Sequence, residues 1–275
     1  MRRALASLRP ALRAVAPLVC WLFVALSSPA PLHAQAKADT AMDGQWHFRV
    51  MPYFWAAGID GTASVTGVTE VPIKASISDI LSNFDIGVLG HFEARKDKLG
   101  FGADELYLNL GTDVPTTSPI LGRLDLSADV RQLITEGFVF YRPVSGGRSG
   151  AGYLDVLAGL RYNGTRTQLE GTGVGGASLE GTKRTFGWVD AIGGARFRLP
   201  MGARVGLTGR GDLGTFGSDL TWNAQAGLDV SLGERWATGA EYRWMDVDYD
   251  KGDGLDRRIY NMRYAGPSFW VGYSW

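Results

Sequence analysis

Apolar and polar residues alternate along much of the chain, and this alternation is its most informative feature. From Leu220 to Val230, every second residue is apolar, and the residues between them are polar or small. A period of two places one kind of side chain on each face of a β-strand. The run is also longer than the usual globular strand of about five or six residues. The pattern therefore predicts long strands, each with one apolar and one polar face.

The same alternation recurs often enough to predict ten strands. Counted back from the C-terminus, they span residues 46–66, 85–97, 100–111, 122–142, 151–169, 178–199, 203–216, 219–231, 235–249 and 256–275. Both termini would then lie at one end of the fold, as in an up-and-down arrangement with an even number of strands. The short turns expected at that end are 96–99, 143–150, 200–203 and 232–235.

Some segments leave the strand assignment open. Asp60-Gly61 is a turn signal inside the first strand, and a break there would change the count, so eight or twelve strands are alternatives. Pro52 removes a ladder hydrogen bond and predicts a bulge. Residues 104–109 show no regular alternation, so the sequence does not indicate which of their side chains face inward. Residues 67–84 are expected to form a loop, with a short helix over 77–84.

The composition of the two faces favours a membrane barrel over a soluble sandwich. The apolar faces carry many alanines and glycines with aromatic residues at strand ends, and the polar faces combine acids with arginine and rarely lysine. A membrane barrel points its apolar face to lipid and encloses its charges. Strands can span lipid only when every backbone group is paired, which requires closure. The predicted fold is an all-β, closed, antiparallel, transmembrane up-and-down barrel.

The N-terminus has the pattern of a cleaved secretory signal peptide. Four arginines within the first 13 residues precede an apolar stretch over about 15–26, and small residues follow up to the Ala-Gln-Ala sequence at 34–36. Basic, apolar and small-residue regions in that order are typical of a secretory signal. We predict cleavage after Ala36, with Ala34 as the alternative. The predicted organisation is a signal peptide over 1–36, a short extension over 37–45 and the barrel over 46–275.

Removal of the signal peptide changes both charge and cysteine content. The chain has 28 basic and 28 acidic residues, and the signal contains four of the bases and none of the acids. The mature chain would therefore hold 24 bases and 28 acids, a net charge of −4. A mildly acidic chain without a basic stripe is a poor nucleic-acid binder. Cys20, the only cysteine, lies in the signal, so no disulfide is expected.

The C-terminus provides the most specific motif. The chain ends on an aromatic residue, and four alternating apolar residues of the last strand share one face: Phe269, Val271, Tyr273 and Trp275. This strand resembles the terminal strand of Gram-negative outer-membrane barrels, which the barrel-assembly machinery recognises. The resemblance implies that this machinery is a partner of the chain.

Further segments extend the resemblance over most of the mature chain. Residues 52–62 (PYFWAAGIDGT), residues 77–84 and residues 92–95 (FEAR) resemble small outer-membrane β-barrel proteins of the OmpA/OmpW-like kind. The resemblance implies a bacterial outer-membrane location, with lipids and lipopolysaccharide as further partners. It implies neither cofactor nor catalytic residues, and the sequence carries no signal for an oligomeric state.

The predicted inward faces carry acids and arginines in equal numbers. Buried charges are tolerated when paired, and the guanidinium group suits bidentate contact with a carboxylate. We therefore predict an ion-pair network that fills the lumen, with the charged constriction of a narrow small-solute channel as the alternative. The predicted members are Glu93, Arg95, Glu136, Asp155, Arg161, Asp190, Arg196, Arg198, Arg210, Asp212, Glu241 and Arg243, with Arg204 and Asp229 also facing inward.

The same sequence bears on three other functions. His91 shares a face with Glu93, so an outer-membrane lipid-modifying enzyme using His91 as a base is an alternative, although no nucleophile is evident. His47 lies at the opposite end from the outer rim. A soluble periplasmic lipocalin-like binder would require apolar faces that point inward. The aspartates between Asp246 and Asp256 could suit a divalent cation, but a solvated loop explains them equally well, and no metal site is predicted.

Overall fold

The computed structural model describes residues 42–64, 70–78, 84–118, 122–146, 152–172 and 178–275. The predicted signal peptide and most of the predicted extension lie outside these residues. The strands are β1 Trp46–Trp55, β2 Gly58–Ser64, β3 Glu70–Ala75, β4 Phe84–Lys96, β5 Leu99–Ser118, β6 Gly122–Gly146, β7 Gly152–Thr172, β8 Ser178–Pro200, β9 Val205–Thr215, β10 Leu220–Ser231, β11 Trp236–Lys251 and β12 Arg258–Ser274. A single 3-10 turn, Gly254–Asp256, joins β11 to β12.

Antiparallel pairing closes these strands into a ten-stranded barrel, as the sequence predicted. From β4 to β12 each strand pairs with the next, and β1 pairs with both β4 and β12. Strands β1 and β2 are two halves of one wall strand, because both pair with β12, on either side of a break at Ala56-Ala57. The break therefore lies four residues before the Asp60-Gly61 turn signal. The end that holds the start of β1 and the C-terminal residue Trp275 is called the terminal end below, and the opposite end is the loop end.

The segment from 67 to 84 differs from the prediction. Residues 70–75 form strand β3, which pairs with β2 from Ser64↔Glu70 to Ile59↔Ala75. The predicted loop is therefore partly a β-hairpin. The helix predicted over 77–84 falls mostly outside the described residues. Only residues 77 and 78 of that predicted helix are described as helical.

Two prolines affect the wall in ways that the sequence did not specify. No bulge occurs at Pro52; instead, the ladder between β1 and β4 ends at the pair Pro52↔Gly90. Proline has no backbone N–H to donate, which explains why pairing stops there. Pro143 was expected in a turn, but β6 continues past it to Gly146 with a register shift between Tyr141 and Val144.

The apolar faces point outward and the charged faces point inward. The outward side chains of Val139, Leu160 and Leu213 are 63%, 58% and 62% exposed, whereas the inward side chains of Asp155 and Arg161 are 0% exposed. A soluble domain does not leave such a continuous apolar surface in water. The orientation predicted for a membrane barrel is therefore confirmed. Within the described residues, no helix is long and apolar enough to cross a membrane.

The edges of the apolar band are visible on β11. Its outward residues run from Trp236 to Trp244, and then change to Asp246, which forms an ion pair at 2.8 Å with Arg263 on β12. At about 3.3 Å per residue and a tilt of about 40°, this span gives a band roughly 20 Å tall. Tyr242 packs on Trp244 with ring centroids 4.4 Å apart. The aromatic rings thus mark the height at which the wall leaves lipid.

Candidate functional site

Arg161 is the centre of the charged lumen. It projects inward from β7, because Asp155, Arg161 and the residues at even spacing between them share one strand face. Its Nε donates to Glu136 Oε1 at 2.8 Å, its Nη2 to Asp212, and its Nη1 to the Thr221 hydroxyl at 3.3 Å. The arginine therefore bridges β6, β9 and β10 across the barrel.

Two further arginines complete this central cluster. Arg210 Nε donates to Asp212 Oδ2 at 2.9 Å, and its Nη2 donates to Glu136 Oε2 at 2.5 Å. Arg243 Nε donates to the Asn223 side-chain oxygen at 2.9 Å, and its guanidinium carbon lies 4.7 Å from the Trp55 ring centroid. Arg243 also lies 4.0 Å from Glu136. Glu136 is thus shared among three guanidinium groups.

His91 lies on a neighbouring part of the same network. Its Nδ1 is 3.0 Å from Asp104 Oδ2, and its Nε2 is 2.7 Å from Glu93 Oε1. The Tyr53 hydroxyl donates to the other oxygen of Asp104 at 2.9 Å. Because a carboxylate lies within hydrogen-bond distance of each ring nitrogen, both nitrogens of His91 already have partners within the network.

The lumen toward the terminal end contains a second group of pairs. Arg142 binds Asp155 through two bonds of 2.6 and 2.9 Å, and Arg196 Nε donates to the same carboxylate at 3.0 Å. Arg196 also donates to Glu93, which links this group to His91. Arg198 and Asp229 form a separate bidentate pair, with distances of 2.6 and 2.9 Å. Bidentate pairs fix the orientation of both side chains.

The structure brings together most of the residues predicted for the network, but it places some elsewhere. Asp190 accepts from the Trp188 indole at 3.0 Å and from the backbone and hydroxyl of Ser218, so among the described contacts it anchors a loop rather than an arginine. Arg95 Nη1 donates to the backbone carbonyl of Asp97 at the terminal end. Glu241 lines an inner cavity, and no hydrogen bond or ion pair to it is present in the described part of the chain.

Three members of the network were missed by the sequence analysis. Arg142 was missed because it directly precedes the turn expected over 143–150, although alternation places it on the same inward face of β6 as Glu136 and Phe140. Asp104 lies in the stretch where the sequence shows no regular alternation. In the structure, Asp104, Leu106 and Leu108 point inward. Tyr53 carries a polar group on an aromatic ring, so alternation alone did not mark it as polar.

An apolar layer lies within the lumen near the loop end, and the sequence did not predict it. Trp188 stacks on Tyr249 with ring centroids 4.4 Å apart, and Tyr260 packs against Trp188 at 5.7 Å. We call this layer the outer cap; its buried members are Trp55, Ala57, Leu106, Leu108, Ile134, Trp188, Met245, Val247, Tyr249, Tyr260, Met262 and Tyr264. The lumen is therefore charged in its lower part and apolar near the loop end.

Two cavities lie on the terminal side of the central cluster. The first, here called the vestibule, has a volume of about 330 Å³ and is bordered by Arg49, Arg95, Arg142 and Trp275 among others. The second, the inner cavity, has a volume of about 120 Å³ and extends to Glu241 and His91. Arg49, Glu93 and Tyr153 border both cavities. Both cavities therefore lie between the terminal end and the central cluster.

The acidic hairpin at the loop end is held by ion pairs. Asp246 contacts Arg263, and Asp250 binds Arg257 through bonds of 2.9 and 2.6 Å. Asp219, in the turn between β9 and β10, accepts from Lys251, and this ammonium group holds the pKa of Asp219 below its usual range. No group of three potential metal ligands occurs among the residues that the structure covers.

The aromatic residues of the C-terminal strand form part of the outer surface at the terminal end. Phe269 and Trp275 are each 53% exposed, and Trp275 stacks on Phe48 with ring centroids 5.6 Å apart. Tyr273 packs on Trp236 at 4.8 Å. The motif residues thus border lipid in the strand that closes the barrel onto β1.

Comparison with known proteins finds similarity at the level of structure. No protein-family model matches the chain, and no curated protein matches its sequence. The outer-membrane protease OmpT from Escherichia coli superposes with a TM-score of 0.51 at 9% identity, covering 86% of this chain and 98% of that chain. The translocator domain of the autotransporter NalP from Neisseria meningitidis gives 0.40 at 14% identity, covering 96% and 97%. At 9% identity the likeness to the protease shows the fold alone, which is that of an outer-membrane β-barrel.

Proposed function

We propose that this protein is a structural component of the bacterial outer membrane whose lumen is closed to solutes. The observation that carries the proposal is the burial of Arg161, which is 0% exposed while it bridges Glu136 and Asp212 across the barrel interior. A side chain that water cannot reach at the centre of a lumen leaves no continuous aqueous path there. The outer cap adds a second, apolar barrier.

The outward apolar band supports the membrane location. Its height, estimated above at roughly 20 Å, is close to the apolar band of about 25 Å in outer-membrane barrels. The terminal end would face the periplasm, because the start of β1, Trp275 and the short turns lie there. The C-terminal strand would engage the barrel-assembly machinery, and the loop end would contact lipopolysaccharide. A soluble lipocalin-like binder fits poorly, since its apolar residues would have to line the interior.

The closed lumen favours a structural role over a small-solute channel. A charged constriction conducts when its ring of charges surrounds water. Here the carboxylates of Glu136 and Asp212 are 0% exposed and are occupied by arginines. Buried networks of this kind hold a narrow barrel in one register, a role that ion pairs and buried polar groups have in other folds.

The enzyme alternative is supported less well by the geometry. A general base needs a ring nitrogen within reach of the proton that it removes. Both ring nitrogens of His91 are held by carboxylates, and the ring is 9% exposed. Among the described contacts of His91 there is no hydroxyl group that could serve as a nucleophile.

Planar bilayer recording tests the closed lumen. Refolded protein, verified as folded by its heat-modifiable migration on gels, should insert without producing discrete conductance steps. A variant with Arg161→Ala and Trp188→Ala, which removes a side chain from each barrier, should conduct and so shows that inserted protein is detected. Reproducible steps from the unaltered protein would refute the proposal in favour of a channel. Release of the protein from membranes without detergent would refute the location.

A further inference from the structure

The inner cavity is bordered by an inward carboxylate that has no partner within the described part of the barrel. Glu241 projects from β11 into this cavity and makes no hydrogen bond or ion pair with any described residue. The other inward carboxylates that the structure describes all accept hydrogen bonds, namely those of Glu93, Asp104, Glu136, Asp155, Asp190, Asp212 and Asp229. An unpaired charge in a low-dielectric interior is costly. We infer that the inner cavity binds a primary ammonium group on a short alkyl chain, with Glu241 as its counter-charge.

The arginines that border the inner cavity are occupied by other acceptors. Arg196 and Arg210 each bridge two carboxylates elsewhere in the lumen. Arg243 Nε donates to the Asn223 side-chain oxygen at 2.9 Å, and Arg49 donates to a hydroxyl group on β12. Among the described residues that line this cavity, the ionic group left unpaired is therefore negative. A ligand of opposite sign would give it the partner that buried charges require.

A glycine opposite Glu241 leaves room beside its carboxylate. Glu241 pairs across the ladder with Gly227 on β10, and a side chain at that position would collide with Glu241 itself. The next inward residue of β10 is Gln225, whose side-chain amide lines the same cavity and has no hydrogen-bond partner in the described chain. Diagonal neighbours on adjacent strands lie about 7 to 8 Å apart, so one small ligand can reach both. An ammonium group donates three hydrogen bonds, and both side chains carry acceptor oxygens.

Aromatic rings form the adjoining wall of the cavity. Trp270 on β12 places its indole over Gly239, where a side chain would collide with the ring. Gly239 is the inward residue next to Glu241 on β11, so the indole adjoins the position of the carboxylate. Tyr53 pairs with Trp270 across the ladder and lines the same cavity. Aromatic faces attract cations that lie within about 6 Å of the ring, so this wall favours an ammonium ion over an uncharged analogue.

The size of the cavity limits the ligand to a short amine. Its volume of about 120 Å³ equals that of about four water molecules, each taking about 30 Å³ of the liquid. Glu93 and Tyr153 border both this cavity and the vestibule, so the ligand would enter from the terminal end. A divalent metal ion fits less well, because Ca²⁺ and Mg²⁺ take six or more oxygen ligands and the described residues contain no cluster of three acidic, histidine or cysteine ligands. Occupancy of the cavity does not depend on whether the lumen conducts.

Saturation-transfer NMR on the refolded barrel tests the inference, in a detergent with an uncharged head group and with empty micelles as the blank. The probes are propylammonium, propanol and propionate at constant ionic strength. Propylammonium should bind saturably with a dissociation constant of about 1 mM, as suits a ligand of so few atoms. Propanol and propionate should bind at least tenfold more weakly, and sodium at the same concentration as propylammonium should not displace it.

Carboxylate variants separate the inner cavity from a general affinity for cations. Glu241→Gln should weaken propylammonium binding at least tenfold, because it removes the counter-charge and keeps the shape of the side chain. Heat-modifiable migration should show that this variant still folds, since it removes an unpaired buried charge. Gln225→Leu should weaken binding severalfold.

Glu105→Gln is the matched control. Glu105 lies on the outward face of β5 with Leu99 and Phe101, and it accepts from the Thr135 hydroxyl at 2.8 Å. This variant changes the net charge by the same amount and should leave the affinity for propylammonium unaltered. No saturable binding up to about 50 mM, equal affinities in folded Glu241→Gln and the unaltered protein, or displacement by sodium would overturn the inference.

Discussion

Replacing Arg161 with alanine examines how the lumen is held together. The substitution removes the donors that Glu136, Asp212 and the Thr221 hydroxyl now receive. Both carboxylates and the arginine are 0% exposed, so water cannot replace the lost hydrogen bonds without entering the barrel. We expect Arg161→Ala to destabilise the folded barrel strongly, because it leaves buried carboxylates with fewer cations.

The structure also limits the size of the effect. Breaking a buried pair by removing one partner costs about 3 to 5 kcal/mol. Arg210 still donates to Asp212 at 2.9 Å and to Glu136, and the Asn223 amide donates to Asp212 at 3.0 Å. These remaining donors compensate part of the lost charge. We therefore expect a decrease in the free energy of unfolding of about 3 kcal/mol, at the lower end of that range.

Equilibrium unfolding in urea, followed by tryptophan fluorescence and by gel migration of the folded form, measures this free energy. Arg263→Ala is the matched control, because Arg263 pairs with Asp246 on the outer surface and its side chain is 65% exposed. An exposed pair contributes about 0 to 1 kcal/mol, so the control should stay close to the unaltered protein. If Arg161→Ala were no less stable than Arg263→Ala, the reasoning about a structural network would be wrong.

Three further outcomes are expected. Asp219→Asn should slightly lower the free energy of unfolding at neutral pH, because Lys251 stabilises the Asp219 carboxylate and lowers its pKa in the folded protein. This difference from the unaltered protein should shrink as pH falls below about 4 and vanish once the folded carboxyl is protonated. Urea unfolding at a series of pH values measures it. Glu241→Gln should raise the free energy of unfolding by about 1 kcal/mol, since it removes a half-buried carboxylate without a paired cation in the described residues, and a lower free energy of unfolding would contradict this. Trp188→Ala should lower the free energy of unfolding by about 3 to 5 kcal/mol, because it deletes a ring that stacks on Tyr249 in the outer cap. An unchanged free energy of unfolding would mean that the cap is not packed.

The sequence by itself determined the strands of the barrel wall and their orientation, but not strand β3. The period of two is a property of the extended backbone, so alternation places Asp155 and Arg161 on one face of β7 and Leu160 on the other without any tertiary information. The edge of the apolar band on β11 is also visible in the sequence, as the change from Trp244 to Asp246. Only local geometry and the opposite solubilities of the two faces were needed for these conclusions.

Tertiary structure decided which inward residues meet. Asp190 and Asp155 have the same sequence context, an acid on an inward face, yet Asp155 binds two arginines and Asp190 binds Trp188 and Ser218. The difference comes from the stagger between strands, which sets the height of each side chain in the lumen and is absent from any single strand. The outer cap has the same origin, because residues such as Leu106 and Met245 become a lumen layer only when closure brings their strands to one height. Alternation fixes the face of a residue, whereas closure of the barrel fixes its neighbours.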